Sequence, residues 1–228
     1  MTAPFLEADN LFYEWKSNDL FSRKEHKVLW KIDKLQINSP GIILLAGRNG
    51  SGKSTLLRCL LGLMRPTQGC VQWFGQSTLP RGSIGYLPEL PILPARVKVS
   101  EIISSLLGCS KKEFQLKEQE FPVIGSLKVS ALFDRQAQMI SKGQQQRLLL
   151  TLALSGHPRG FVLDEPFSGL DPWSRSELAE HLVELAHQGQ FVLISSHDAP
   201  AALRNRVKET WIIENEGLSA RPGCAIPE

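Results

Sequence analysis

Ile42-Ile43-Leu44-Leu45-Ala46-Gly47-Arg48-Asn49-Gly50-Ser51-Gly52-Lys53-Ser54 is the stretch that decides how this chain folds. Residues 42–46 are a continuous apolar run of strand length, the pattern of a strand buried on both faces of a parallel sheet. Gly47 to Ser54 then match G-x-x-x-x-G-K-[ST]. The glycines of such a loop let backbone N–H groups turn inward around phosphates, and the helix that begins there adds the positive end of its dipole. Lys53 is placed to reach the β- and γ-phosphates of a nucleotide, and the Ser54 hydroxyl, followed by Thr55, to bind Mg²⁺. The helix is expected over Ser54 to Met64, with Leu56, Leu60 and Leu63 on one face.

Working outward, two more buried-strand runs lie late in the chain, Phe-Val-Leu-Asp at 161–164 and Phe-Val-Leu-Ile-Ser at 191–195. Between them Leu178, Leu182 and Leu185 predict a helix over Ser176 to His187. Strands alternating with helices imply a three-layer α/β domain with a mostly parallel sheet. Upstream, Phe5–Trp15 and Val28–Ile37 read as strands, the second ended by Asn38-Ser39-Pro40-Gly41. The polar segment between them, residues 16–27, reads as a solvated hairpin loop. From Glu89 to Ile140 the chain is punctuated by proline and then charged and helical, and Ser110 with Glu113 form a capping box for a helix carrying Phe114 and Phe121. Residues 210–220 read as two short strands around a glycine-containing turn.

Composition narrows the class. The 228 residues are 42% hydrophobic and 21% charged, which is ordinary for a globular protein. A net charge of +3 is too small to argue for a nucleic-acid partner, and none is expected. No apolar run approaches the 18 or so residues that span a bilayer, and the N-terminus lacks the form of a secretory signal. Cys59, Cys70, Cys109 and Cys224 lie far apart without a C-x-x-C pair, so they are expected to be reduced thiols of an intracellular protein.

Residues 161–165, Phe-Val-Leu-Asp-Glu, form an apolar strand ending in two carboxylates. Beside a phosphate loop, Asp164 is expected to hold the magnesium through water, and Glu165 to orient or deprotonate an attacking water.

With these motifs in place the chain resembles the ATP-binding cassette (ABC) ATPases. Ile140-Ser141-Lys142-Gly143-Gln144-Gln145-Gln146-Arg147, some twenty residues before Asp164, is similar to the family's LSGGQ signature, with Lys142 in place of the first glycine. Ser168-Gly169-Leu170-Asp171 resembles the D-loop, and His197 the switch histidine. Trp15 stands where the family places an aromatic that stacks on adenine, although an aromatic on a short strand is also ordinary core. Glu89 occupies the Q-loop position, where most relatives carry glutamine; its Tyr86-Leu87-Pro88-Glu89 setting resembles ATPase subunits of ABC-2-type exporters.

The resemblance implies a P-loop NTPase (RecA-like) core with an N-terminal antiparallel β subdomain and an inserted α-helical subdomain. The core would take 1–88 and 155–228, and the helical subdomain 89–154, ending in the signature. ATP would lie on Trp15 and on Gly47, Arg48, Asn49, Gly50, Ser51, Gly52, Lys53, Ser54 and Thr55. Mg²⁺ would be held by Ser54, Glu89 and Asp164, and chemistry done by Glu165, His197 and Lys53. Ser141, Gly143 and Gln144 would act on the ATP of a second ABC subunit, met head to tail. The implied activity is ATP hydrolysis coupled to transport, with export as the expected direction, through a separate permease that this chain meets at the cytoplasmic face of the membrane. Leu90, Ile92, Leu93 and Val97 would either meet a permease helix or belong to a proline-shaped loop packed on the core. The alternative is a soluble mechanical ABC ATPase of DNA repair or translation. One cassette at +3, with no tandem copy, long coiled coil or basic extension, argues against it.

Overall fold

The computed structural model describes residues 3–16, 26–90, 93–120, 122–156, 158–197 and 199–225. Strands β1 (Leu6–Lys16) and β2 (His26–Ile37) pair antiparallel in the register Leu6 to Ile37. Most of the polar connection between them, and Phe121 and Ile92, lie outside the described residues. Strand β3 (Gly41–Gly47) carries the apolar run and leads through the glycine loop into helix α1 (Lys53–Leu60). Strand β4 (Gln68–Trp73) returns to pair with β1, completing a three-stranded antiparallel sheet.

Next come β5 (Ile84–Leu87) and the helices α2 (Val99–Leu107), α3 (Lys111–Glu120), α4 (Pro122–Leu127) and α5 (Lys142–Leu154). Then follow β6 (Gly160–Asp164), α6 (Pro172–His187), β7 (Phe191–Ser195), α7 (Ala201–Arg204), β8 (Val207–Glu214) and β9 (Gly217–Pro222). The second sheet has the order β5-β6-β7-β3-β8-β9, parallel except for β9. This is the P-loop NTPase type of α/β core, with the antiparallel sheet on one side and the helices of the middle segment on the other.

The apolar runs divide between the two faces of that sheet as a period of two requires. Ile42, Leu44, Phe161, Leu163, Val192 and Ile194 belong to the core shared with the helices. Ile43, Leu45, Val162, Phe191 and Leu193 belong to the core shared with α1 and the small sheet. Each buried side chain of this size contributes on the order of 1.5–3 kcal/mol, so β3, β6 and β7 anchor both layers at once. Trp73 locks the small sheet in place. Its ring stacks on Phe191 at 5.6 Å, and its indole N–H donates to the Leu60 carbonyl at 2.6 Å, satisfying a helix-end acceptor of α1.

Helix α1 is shorter than its apolar spacing suggests. It ends at Leu60, Gly62 turns the chain with φ +69°, and Leu63 is 63% exposed instead of lying on the buried face. The capping box at Ser110 and Glu113 forms, and Phe114 is fully buried. Helix α6 starts four residues before the expected Ser176, because Asp171 caps it through the Ser174 N–H at 3.0 Å and Pro172 takes the first turn. Leu90 is exposed, whereas Leu93 and Val97 pack against the helical core.

Candidate functional site

The site grows from the carboxyl ends of β3, β6 and β7, which lie side by side. Leaving β3, the chain turns at Gly47 with φ +152°, where a Cβ would fall 2.9 Å from the Ile213 carbonyl oxygen. Gly52, at φ +95°, stands in the N-cap position of α1 without a side-chain cap, which leaves the first N–H groups of the helix facing outward. The loop curls over the Lys53 side chain. Its ammonium donates to the Gly47 carbonyl at 2.8 Å and the Arg48 carbonyl at 3.4 Å, and lies 3.4 Å from His197 Nε2.

Strand β6 delivers Asp164 and Glu165 to the same place. Asp164 is 1% exposed; its Oδ1 accepts a hydrogen bond from the Ser195 hydroxyl, and its Oδ2 is buried without a protein partner. Glu165 leaves the strand with φ +49°, and its Oε1 lies 3.2 Å from His197 Nε2. Burial pushes the Glu165 carboxyl up to about 7, against the pull of Lys53 and with the push of Asp164. Burial lowers Lys53, although Glu165, Asp164 and Glu89 all favour its charged form. Burial also lowers His197, with Lys53 acting in the same direction. From the end of β5, Glu89 accepts the Ser54 hydroxyl at 3.2 Å.

Lys53, Ser54, Glu89, Asp164, Glu165 and His197 therefore line one cavity of about 420 Å³, with Asn49, Gly50, Gly52 and Thr55 beside them. A second cavity, of about 720 Å³, shares Asn49 and Gly50 with the first and extends past Gly47, Arg48 and Ser51 to the turn between β8 and β9. Three carboxylates around one ammonium leave the first cavity short of positive charge. The residues suit Mg²⁺: the buried Asp164 Oδ2 has no partner, and Ser54 and Glu89 offer hard oxygens. Among the described residues no group of three or more acidic, histidine or cysteine side chains could hold a metal alone. That fits an ion which takes one or two carboxylates and a hydroxyl and draws the rest from phosphates and water.

A family model described as ABC transporter matches residues 31–168, more than half of the chain. The chain belongs to the ABC transporter family. Among its relatives, the lipopolysaccharide export ATP-binding protein LptB of Haemophilus influenzae is 32% identical over 87% of this chain and 82% of its own length. The zinc import ATP-binding protein ZnuC of Hydrogenovibrio crunogenus is 31% identical over 97% of this chain and 83% of its own. The ABC transporter ATP-binding protein YxlF of Bacillus subtilis is 34% identical over 77% of this chain, which spans only 59% of that relative. The fold is that of the ATP-binding cassette MJ0796, solved as a dimer in a post-hydrolysis state with ADP and Pi, with a TM-score of 0.76 over 97% of this chain and 100% of that one at 20% identity.

In this ABC cassette the remaining sequence-derived candidates lie apart from the cavities. Ser141 caps α5, its hydroxyl accepting from the Gln144 N–H at 3.2 Å while the Gln144 side chain accepts from the Ser141 N–H at 2.9 Å. Gly143 faces Gly169, with 3.7 Å between a Cβ built there and the Gly169 carbonyl oxygen. None of the three lines either cavity. Trp15 is half-exposed on β1, paired across the strands with Lys27, which lines the second cavity although Trp15 itself does not.

Two residues carry site geometry without having been singled out from the sequence. Ser195 joins Asp164 to the Glu165 backbone, whose N–H donates to its hydroxyl at 3.0 Å. Gln146, buried inside the signature helix, donates its side-chain amide to the Glu165 carbonyl at 3.4 Å. The signal for Ser195 lay in the pairing of β6 with β7, which sets Ser195 opposite Asp164.

Proposed function

We propose that this chain is the ATP-binding and ATP-hydrolysing subunit of an ABC transporter. The observation that carries the reading is the meeting of Lys53, Ser54, Asp164, Glu165 and His197 in one cavity beneath the glycine loop. Lys53 binds the β- and γ-phosphates, exchanging its loop carbonyl partners for charge-assisted contacts. Glu165, with a carboxyl near 7, is suited to take a proton from water close to neutral pH. His197, within 3.2 Å of it, orients that water and contacts the γ-phosphate. Ser54, Asp164 and Glu89 would hold Mg²⁺, which would supply positive charge against the phosphates.

Trp15 serves as the adenine platform, a role supported by its exposure beside the second cavity. Ser141, Gly143 and Gln144 act on the ATP of a second cassette, met head to tail; their position outside both cavities and the dimeric form of MJ0796 support this. Residues 1–88 and 155–228 form the ATP-binding core and residues 89–154 the helical subdomain, in line with α2 to α5 falling between β5 and β6. A separate permease carries the membrane spans and holds this subunit at the cytoplasmic face, a reading supported by relatives named as ATP-binding proteins of export and import systems; no helix among the described residues is long and apolar enough to cross a membrane. LptB is named for export and ZnuC for import. Export as the direction here rests on the Tyr86-Leu87-Pro88-Glu89 form alone.

The test is nucleotide binding and phosphate release by Lys53→Ala. Loss of charge-assisted phosphate contact should weaken ATP binding and abolish turnover; affinity and rate equal to wild type would remove Lys53 from the site.

A further inference from the structure

We infer that Ser195 is a positioning residue that sets, through one hydroxyl, both the free oxygen of Asp164 and the backbone of Glu165. The inference rests on the ATPase reading above and adds to it a residue that no motif supplies.

Strands β6 and β7 run parallel, and their register places Ser195 directly opposite Asp164 at the last rung. Ser195 is fully buried, so its hydroxyl must find its partners inside the protein. It donates to Asp164 Oδ1 and accepts from the Glu165 N–H at 3.0 Å. A hydroxyl has one proton to give, and here that proton is committed to Asp164. Two consequences follow.

The first concerns Asp164. With Oδ1 held by Ser195, the carboxylate is fixed in one orientation, and Oδ2 stays buried without a protein partner in a residue that lines the cavity. An oxygen held in one orientation by a second residue loses little freedom when it takes a cation or a cation-bound water.

The second concerns Glu165. A non-glycine residue at φ +49° sits in the left-handed region, where its Cβ crowds the backbone. Its peptide is held there from both sides. The N–H donates to the Ser195 carbonyl at 3.1 Å and to the Ser195 hydroxyl. The carbonyl accepts from the Ser168 N–H at 3.1 Å and from Gln146 Nε2 at 3.4 Å. Losing the hydroxyl removes one of these holds and frees the Asp164 carboxylate in the same stroke, so the metal oxygen and the catalytic carboxylate are coupled through one side chain.

The experiment compares wild type, Ser195→Ala and Ser195→Cys as full-length protein. Cysteine keeps the volume but is a weak hydrogen-bonding group, so it separates packing from hydrogen bonding. The readouts are ADP affinity in EDTA, Mn²⁺ half-saturation with ADP present followed by the electron paramagnetic resonance of free Mn²⁺, and phosphate release from Mg-ATP. Both variants should bind metal-free ADP as wild type does, need roughly tenfold more Mn²⁺, and turn over about 10- to 100-fold more slowly at saturating Mg²⁺. Wild-type behaviour of Ser195→Cys in Mn²⁺ half-saturation and turnover would overturn the inference, since volume alone would then suffice. Wild-type behaviour of Ser195→Ala would overturn it as well. A wild-type protein that neither binds nor hydrolyses Mg-ATP would instead refute the ATPase reading on which the inference stands.

Discussion

Replacing Glu165 with glutamine should stabilise the nucleotide-free protein, and by an amount that grows with pH. In the folded chain burial raises this carboxyl to about 7 from an ordinary value of 4.5. Below both values the group is protonated in folded and unfolded chains alike and contributes no difference. Between them the unfolded chain ionises while the folded chain holds its proton, so stability falls as pH rises. Above the folded value the loss is complete. At 1.36 kcal/mol for each pH unit, the interval of about 2.5 gives roughly 3 kcal/mol. The side chain retains 19% exposure, so about 1–3 kcal/mol is the working figure. Glutamine keeps the shape and never pays this cost. For a chain of this size each kcal/mol moves the unfolding midpoint by about 2–4 °C, so the variant should gain about 2–12 °C over wild type at pH 8. Most of that gain should be absent at pH 5. Calorimetry in EDTA without nucleotide reads both midpoints across the range. A gap that stays flat with pH, or closes as pH rises, would refute the claim that burial of an ionised Glu165 costs the folded state stability.

Glu89→Gln should remain active, because either side chain offers an oxygen of the same reach to Ser54 and to a hard cation, while Glu89→Ala should lower turnover; a wild type near zero that glutamine rescues would contradict this. Glu165→Gln should bind Mg-ATP and elute as a dimer in size-exclusion chromatography, and a monomer that turns over normally would remove Glu165 as the catalytic carboxylate. Gly47→Ala should cost on the order of 2 kcal/mol or more and reduce ATP binding, since the new Cβ meets the Ile213 carbonyl oxygen at 2.9 Å in a left-handed backbone; unchanged urea unfolding would show that the loop relaxes freely. Trp73→Phe keeps much of the ring contact with Phe191 but loses the donor to the Leu60 carbonyl, for an expected loss of about 1 kcal/mol in the same assay.

The core of the fold was legible because its signals are local. A run such as Ile42–Ala46 must be buried on both faces, and the glycines after it suit a turn that no side chain would tolerate at Gly47. Asp164, Glu165 and His197 were legible because each ends or follows an apolar strand, and strand ends of a parallel sheet gather at one edge. Other features were hidden by physics that acts at a distance. Strand β4 is mostly exposed and has no apolar alternation, so only its pairing with β1 declares it. Leu63 continues the helical spacing of α1 but falls beyond the turn at Gly62. The role of Ser195 exists only in the register between two strands thirty-one residues apart at that rung. Ser141 and Gln144 show in one chain only a capping box, because the surface they are proposed to meet belongs to a second copy.

The most direct measurement is steady-state phosphate release from Mg-ATP by purified wild type and Glu165→Gln, side by side. Wild type should turn over, and the variant should fall about 10²- to 10⁴-fold while still binding ATP, the range expected for loss of a positioned general base. Equal rates in the two proteins, or no release by wild type at saturating Mg-ATP, would contradict an ATPase built on Lys53, Asp164, Glu165 and His197.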